Sequence, residues 1–150
     1  MQGSAMSRVT TYLNFDGTAE EALAFYGSVF GTAIDGQIFR VGDMPPPPGT
    51  PELSDDEKRR VGHAQLPILA GHVLMASDII PSMGHQLRIG NNVTINLEPD
   101  SREEADRIYA ELSAGGSDSS GLSQMPWAYW GTTLDRFGVR WMFNVYGDAS

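Results

Sequence analysis

Two stretches of this chain echo each other. Residues 12–31, YLNFDGTAEEALAFYGSVFG, are matched by residues 93–112, VTINLEPDSREEADRIYAEL. Glu20, Glu21, Ala22 and Tyr26 in the first fall on Glu103, Glu104, Ala105 and Tyr109 in the second. Each stretch opens with the alternation of a strand and passes into apolar positions at helical spacing. Those positions are Ala22, Tyr26, Val29 and Phe30 in one helix and Ala105, Ile108, Tyr109 and Leu112 in the other. Thr18 with Glu21, and Ser101 with Glu104, predict a capping box at each helix start. Gly31 and Gly115 supply the stop signals. A chain that repeats a strand–helix unit is constrained to fold as two copies of one module.

A weaker echo completes the modules. GHVLMASD (71–78) and GVRWMFNV (138–145) each place a glycine four residues before a methionine, Met75 and Met142. The helix echoes lie 83 residues apart and the strand echoes 67 apart, so the first half carries about 16 extra residues. MPPPPGTPELSDDEKRR (44–60) is the place for them: its prolines favour an extended segment, and its charged remainder reads as a mobile loop or a short helix. IDGQIFRVG (34–42) and VGHAQLPIL (61–69) predict strands before HVLMASD, with Ala70-Gly71 as a tight hairpin turn. LSQMPW and YWGTTLD play those parts in the second half. The expected fold is α+β, with two β-α-β-β-β modules at about 8–78 and 92–147 and a turn-rich linker at 79–92. One such unit leaves a large sheet face uncovered, so the two must combine in a single domain spanning 6–150. Residues 1–5, small and polar ahead of Met6, read as an expression scar.

Composition narrows the function classes. A formal net charge of −9 and a hydrophobic fraction of 41% describe an acidic chain with enough apolar material for a core. That charge argues against a nucleic-acid partner or an anionic membrane surface. No cysteine is present, which excludes disulfides and thiolate chemistry. No apolar run approaches the roughly 18 residues of a membrane span, and a cytoplasmic location is expected.

The paired pattern resembles the vicinal oxygen chelate superfamily, the group of glyoxalase I, bleomycin-resistance proteins and extradiol dioxygenases, and most closely its PhnB-like subgroup. The resemblance is carried by YLNFDGTAEEALAFYGSVFG, GHAQLPILAGHVLMASD, NNVTINLEPDSREEADRIYAEL and WGTTLDRFGVRWMFNVY, which span nearly all of residues 8–146. It implies sheets curled around a shared cavity, a homodimer and a small-molecule ligand. Some members carry names drawn from ubiquinone methyltransferases, but no glycine loop for S-adenosylmethionine occurs here. Metal-dependent relatives hold a divalent ion with His, Gln or Glu from the first and last strand of each module. Matching on the helix and glycine anchors puts those positions at Thr10, Met75, Asn92 and Met142. Hydroxyl, amide and thioether donors bind such ions poorly, so no metal or other cofactor is expected.

Strand alternation supplies the remaining candidates. Thr11, Leu13 and Phe15 share one face of the first strand, and Thr10, Tyr12 and Asn14 the other. In the repeat Val93, Ile95 and Leu97 stand against Asn92, Thr94 and Asn96. The apolar sets belong under the helices. The other sets, joined by Met75, Ser77, Arg140, Met142 and Asn144, are expected to line a polar cavity, in which Arg140 could grip a carboxylate or phosphate bidentately. The competing reading is a solvated sheet face. Trp127, Tyr129 and Trp130 are either core or a wall for a planar ligand, with Trp127 and Tyr129 on one face and Trp130 on the other. Trp141 is expected under a helix. The Ala70-Gly71 turn places His63 opposite Asp78, either as a general base with its orienting carboxylate or as a pair at the sheet rim. His63 is the sole plausible base; His85 lies in the linker.

These residues point to a small-molecule-binding protein with a pocket for a polar or anionic ligand. The alternatives are a metal-dependent lyase, isomerase or dioxygenase with other ligands, and a resistance-type protein that sequesters a cationic drug, which the acidic charge would suit.

Overall fold

The computed structural model describes residues 7–147; the segment read as an expression scar lies outside them. Eight strands form two sheets of four. The first holds β1 (Thr11–Phe15), β2 (Phe39–Arg40), β3 (Val61–Pro67) and β4 (Val73–Asp78) in the order β1-β4-β3-β2. The second holds β5 (Ile95–Leu97), β6 (Ser123–Gln124), β7 (Tyr129–Leu134) and β8 (Arg140–Val145) in the order β5-β8-β7-β6. In both, the first strand runs parallel to the last and the rest are antiparallel. The two sheets thus share one topology, as the repeat requires, and the fold is α+β with two β-α-β-β-β modules.

Helix α1 (Ala19–Phe30) follows β1, and its counterpart α3 (Arg102–Ser113) follows β5. A further short helix, α2 (Asp55–Arg59), stands in the first module's insertion, where Ser54 and Glu57 close a full capping box. The charged end of the insertion is therefore helical. β2 covers only two residues of the predicted 34–42 strand, and β5 begins at Ile95, so Asn92 and Thr94 precede the strand.

The helix starts differ from expectation. Thr18 has φ −113° and ψ 11° and caps nothing with its side chain. Asp78, from the end of β4, does that work: its Oδ1 accepts from Gly17 N–H and Ala19 N–H at 2.9 Å, and its Oδ2 from Val61 N–H at 2.9 Å. A carboxylate delivered by tertiary structure satisfies the orphan donors better than the local hydroxyl. At α3 the Ser101 hydroxyl accepts from Glu104 N–H at 3.1 Å, while the Glu104 carboxylate reaches Asp100 N–H, so that box is half formed.

The two modules share one core. The buried cluster includes Phe15, Leu23, Tyr26, Leu66 and Leu74 of the first and Ile108, Leu112, Trp141 and Phe143 of the second. Trp141 is fully buried under α1, with the Tyr26 ring 5.5 Å and the Phe30 ring 5.8 Å from its own. Beneath them Asp135 accepts from Tyr26 Oη at 2.6 Å and from Trp141 Nε1 at 2.8 Å. Helices and apolar faces therefore pack inward, and the opposite face of each sheet is left half-exposed. Among the described residues no helix is long and apolar enough to cross a membrane.

Candidate functional site

A cleft of about 620 Å³ opens where the modules meet. One wall is β1, which contributes Thr11, Tyr12, Leu13 and Asn14. The linker supplies Ile79, Gly84 and residues 86–90, and Asn92, Val93 and Ile95 lead into the second sheet. The β7–β8 turn closes the floor with Phe137, Gly138 and Val139, and Arg140 stands beside it. Phe137 is held by edge-to-face contacts with Phe15 and Tyr26 at 6.3 and 6.2 Å, which ties the floor to the core. Gly138 has φ +90°, and a Cβ there would lie 2.6 Å from Ile89 Cδ1. Glycine both permits the turn and lets the linker approach.

The cleft's charge is one-sided. Among the described residues its lining contains two guanidinium groups, Arg88 and Arg140, three amides, Asn14, Gln86 and Asn92, and no carboxylate. Arg140 Nη2 donates to Asp118 Oδ2 at 3.2 Å and its Nε to Gly90 O at 3.4 Å, so its guanidinium is held by two contacts. Asp118 itself adopts φ +53°, a conformation Asp tolerates better than most residues. A second hollow near the start of α1 is lined by acids as well as arginines, with Arg40 paired to Glu20 and Arg60 to Asp16, each at 2.7 Å.

The structure distributes the sequence candidates over three places. Tyr12, Asn14, Asn92 and Arg140 line the cleft. Thr10, Met75, Ser77 and His63 lie with Tyr12 on the open face of the first sheet, where Tyr12 is beside Met75, and Asn14 beside Ser77. Thr10 Oγ1 is 3.8 Å from Met75 Sδ, and Tyr12 Oη is 3.3 Å from His63 Nδ1. Met142, Asn144 and Trp127 occupy the open face of the second sheet, with Thr94 exposed just ahead of β5. There Trp127 Nε1 donates to Asn144 Oδ1 at 3.1 Å, and Asn144 Nδ2 to Asn96 Oδ1 at 2.7 Å.

Three expectations are corrected. His63 does not face Asp78. His72 N–H does bond Leu69 O across the Ala70-Gly71 turn, but Ile68 N–H bonds His72 O, and the ladder runs Pro67↔Val73 and Ala64↔Ala76. That extra residue shifts the register by one, so continuing the ladder sets His63 beside Ser77. Trp127 and Trp130 share a face, with rings 6.3 Å apart, because Trp127 precedes the strand and folds back onto Asn144. Tyr129 turns to the helix side, where its hydroxyl donates to Asp106 at 2.6 Å and Arg102 lies 4.6 Å over its ring. The Asp106 hydrogen bond, more than burial, holds its phenol above the usual value. Finally, Met75 pairs with Tyr12 and Met142 with Asn96, so the counterpart of Thr10 is Thr94 and not Asn92, two residues off the sequence match.

Beside Met75 stand Thr10, Tyr12 and Gln65, and beside Met142 stand Asn96 and Thr132. This set does not fit a divalent ion of the kind metal-using relatives hold. Among the described residues no group of three or more His, Asp or Glu side chains converges elsewhere. Sequence reasoning missed Arg88, Gln86 and the Phe137–Val139 floor, since a linker cation carries no periodic signal. His85, in the linker as expected, is exposed and accepts from Ile80 N–H at 3.1 Å, bracing the linker.

The comparisons agree with this architecture. A family model described as 3-demethylubiquinone-9 3-methyltransferase matches residues 7–143. Protein YjdN of Escherichia coli (strain K12) is 31% identical over 145 residues, covering 91% of this chain and 94% of that protein. The crystal structure of protein PA1353 from Pseudomonas aeruginosa is similar with a TM-score of 0.79 at 32% identity, over 94% of this chain and 98% of that one. A PhnB protein from Bacillus cereus follows at 0.70 and 25%, over 93% and 99%. A glyoxylase/bleomycin resistance protein/dioxygenase domain from Frankia sp. EAN1pec, at 0.64 and 10% over 95% and 93%, shares the fold alone.

Proposed function

The chain belongs to the family described as 3-demethylubiquinone-9 3-methyltransferase, the PhnB-like branch of the vicinal oxygen chelate superfamily, and from that premise we propose that it is a small-molecule-binding protein whose intermodule cleft takes a small polar anion. One observation carries the reading. In a chain of net charge −9, the described residues that line the cleft include two arginines and three amides and no carboxylate. A guanidinium fork offers paired donors to a carboxylate or phosphate, and Asp118 stabilises Arg140 in place until the ligand arrives.

Binding proceeds in this proposal without a divalent ion at the strand positions, because their thioether and amide donors suit none. The family description suggests methyl transfer, but β1 passes to α1 through Asp16-Gly17-Thr18, with one glycine, and Asp78 already occupies the helix start. That arrangement offers no phosphate- or nucleotide-binding loop. We place the protein in the cytoplasm as a homodimer, the half-exposed faces carrying Tyr12 and Trp127 being the surfaces a second copy would cover.

Calorimetric titration with acetate and inorganic phosphate tests the cleft. Arg140→Leu is expected to weaken binding at least tenfold, while folding is retained because its partner is an exposed carboxylate. Unchanged affinity removes Arg140 from the site and overturns the reading. Near-stoichiometric zinc, manganese, nickel or iron on protein purified without chelator overturns the metal-free part. A native mass measurement on the same sample reports the dimer.

A further inference from the structure

We propose that the cleft receives its ligand as an added strand: a short, extended peptide with a free C-terminal carboxylate, paired with the open edge of β1. This rests on the anion-binding reading and goes beyond it by naming the ligand class. β1 is the outermost strand of its sheet, and β4 lies on its other side. Four consecutive β1 residues line the cleft, whereas β4 contributes none. Consecutive side chains point to opposite faces of a sheet. A cavity that touches all four must therefore lie beside the strand, along its edge.

The ladder shows which main-chain groups face that edge. The Phe15 carbonyl accepts from Ile79 N–H at 2.7 Å, just beyond the end of β4. N–H and C=O of one strand residue point the same way and alternate along the chain. Thr11, Leu13 and Phe15 thus direct theirs to β4, and those of Tyr12 and Asn14 turn toward the cleft. An edge with free donors and acceptors is the template for strand addition. At about 3.3 Å per residue, Tyr12 to Asn14 spans about 7 Å, which a tripeptide covers. Arg140 and Arg88, with no acid among the described lining residues, select the carboxylate end of a peptide over an internal segment. Val93 and Ile95 offer apolar contact to its side chains.

The test is a calorimetric titration of the unmodified protein with tri-alanine, tri-alanine amide and tri-alanine methylated on both peptide nitrogens, alongside acetate. Tri-alanine is expected to bind at least tenfold tighter than acetate. The amide loses the carboxylate and the methylated peptide loses the ladder donors, and each is expected to bind at least tenfold weaker than tri-alanine. Hydrogen exchange at the Tyr12 and Asn14 amides is expected to slow on adding tri-alanine. If tri-alanine binds no better than acetate, or methylation changes nothing, the strand-addition proposal falls while the anion site stands. If neither acetate nor tri-alanine binds, both readings fall. Protection of those two amides in the free protein means that a second copy already covers the edge, and that too overturns the proposal.

Discussion

Asp78 shows how much one side chain can organise. It is buried, and its two oxygens hold the entry to α1 and the start of β3 through three main-chain donors. Removing it leaves those N–H groups without partners in a buried setting, so Asp78→Ala is expected to cost about 2–4 kcal/mol. Asp78→Asn retains one acceptor oxygen and should cost less. Urea denaturation of both variants measures the difference; equal loss in the two would mean that the retained shape and single acceptor count for nothing and that the full carboxylate is what matters. Nothing near Thr18 in the chain announces this arrangement, because the acceptor arrives from some 60 residues away. The local capping signal was present and lost to a stronger tertiary acceptor.

At the scale of elements, α2 and the linker are joined by Glu57. Its carboxylate accepts from the Ser82 hydroxyl at 2.7 Å, Ser82 N–H at 2.8 Å and Ser54 N–H at 3.1 Å. The Ser82 bonds lead, with the Ser54 amide, in holding its pKa down at about 2, below an ordinary value of 4.5. A group whose folded pKa is depressed stabilises the fold above its unfolded pKa and loses that contribution as pH falls toward the folded one. The Glu57 contribution is therefore whole above pH 4.5 and declines from there to about pH 2. Glu57→Gln is expected to flatten the stability profile in that window, and a urea midpoint followed from pH 5 to pH 2 checks it. A variant profile as steep as that of the parent would assign the acid sensitivity to other carboxylates. Ser82 lies in the Pro81–Met83 turn, so this contact anchors the start of the linker that runs on to the cleft wall.

For the whole molecule the decisive contact crosses the modules. Tyr26 of the first reaches Asp135 of the second, and Trp141 shares that carboxylate. Burial first, and then the Asp135 charge, push the Tyr26 phenol above its ordinary range, so it remains the donor. Tyr26→Phe should cost about 1–3 kcal/mol, since it leaves a buried carboxylate one donor short. Because the core is continuous, both modules are expected to unfold in one transition, with tryptophan fluorescence and far-ultraviolet circular dichroism coinciding. Two separated transitions would show the modules to be independent.

The strand and helix repeat, the apolar faces of β1, β8 and the two long helices, and the pairing of two like modules were all determined by the sequence alone. Each rests on periodicity, and periodicity is a local property that residue order carries in full. What the tertiary structure decided was every relation set by a residue or two of register. The three-residue turn Leu69–Gly71 moved His63 away from Asp78, and the pairing of β5 with β8 made Thr94, not Asn92, the counterpart of Thr10. A one-residue slip changes which side chains meet without changing the hydrophobic pattern, so no pattern can report it. Arg140 was legible as a cation on a strand, but its company of Arg88, Gln86 and the open edge of β1 was not. That company assembles from the linker, the β7–β8 turn and both modules, and only the packing of the shared core brings them to one place.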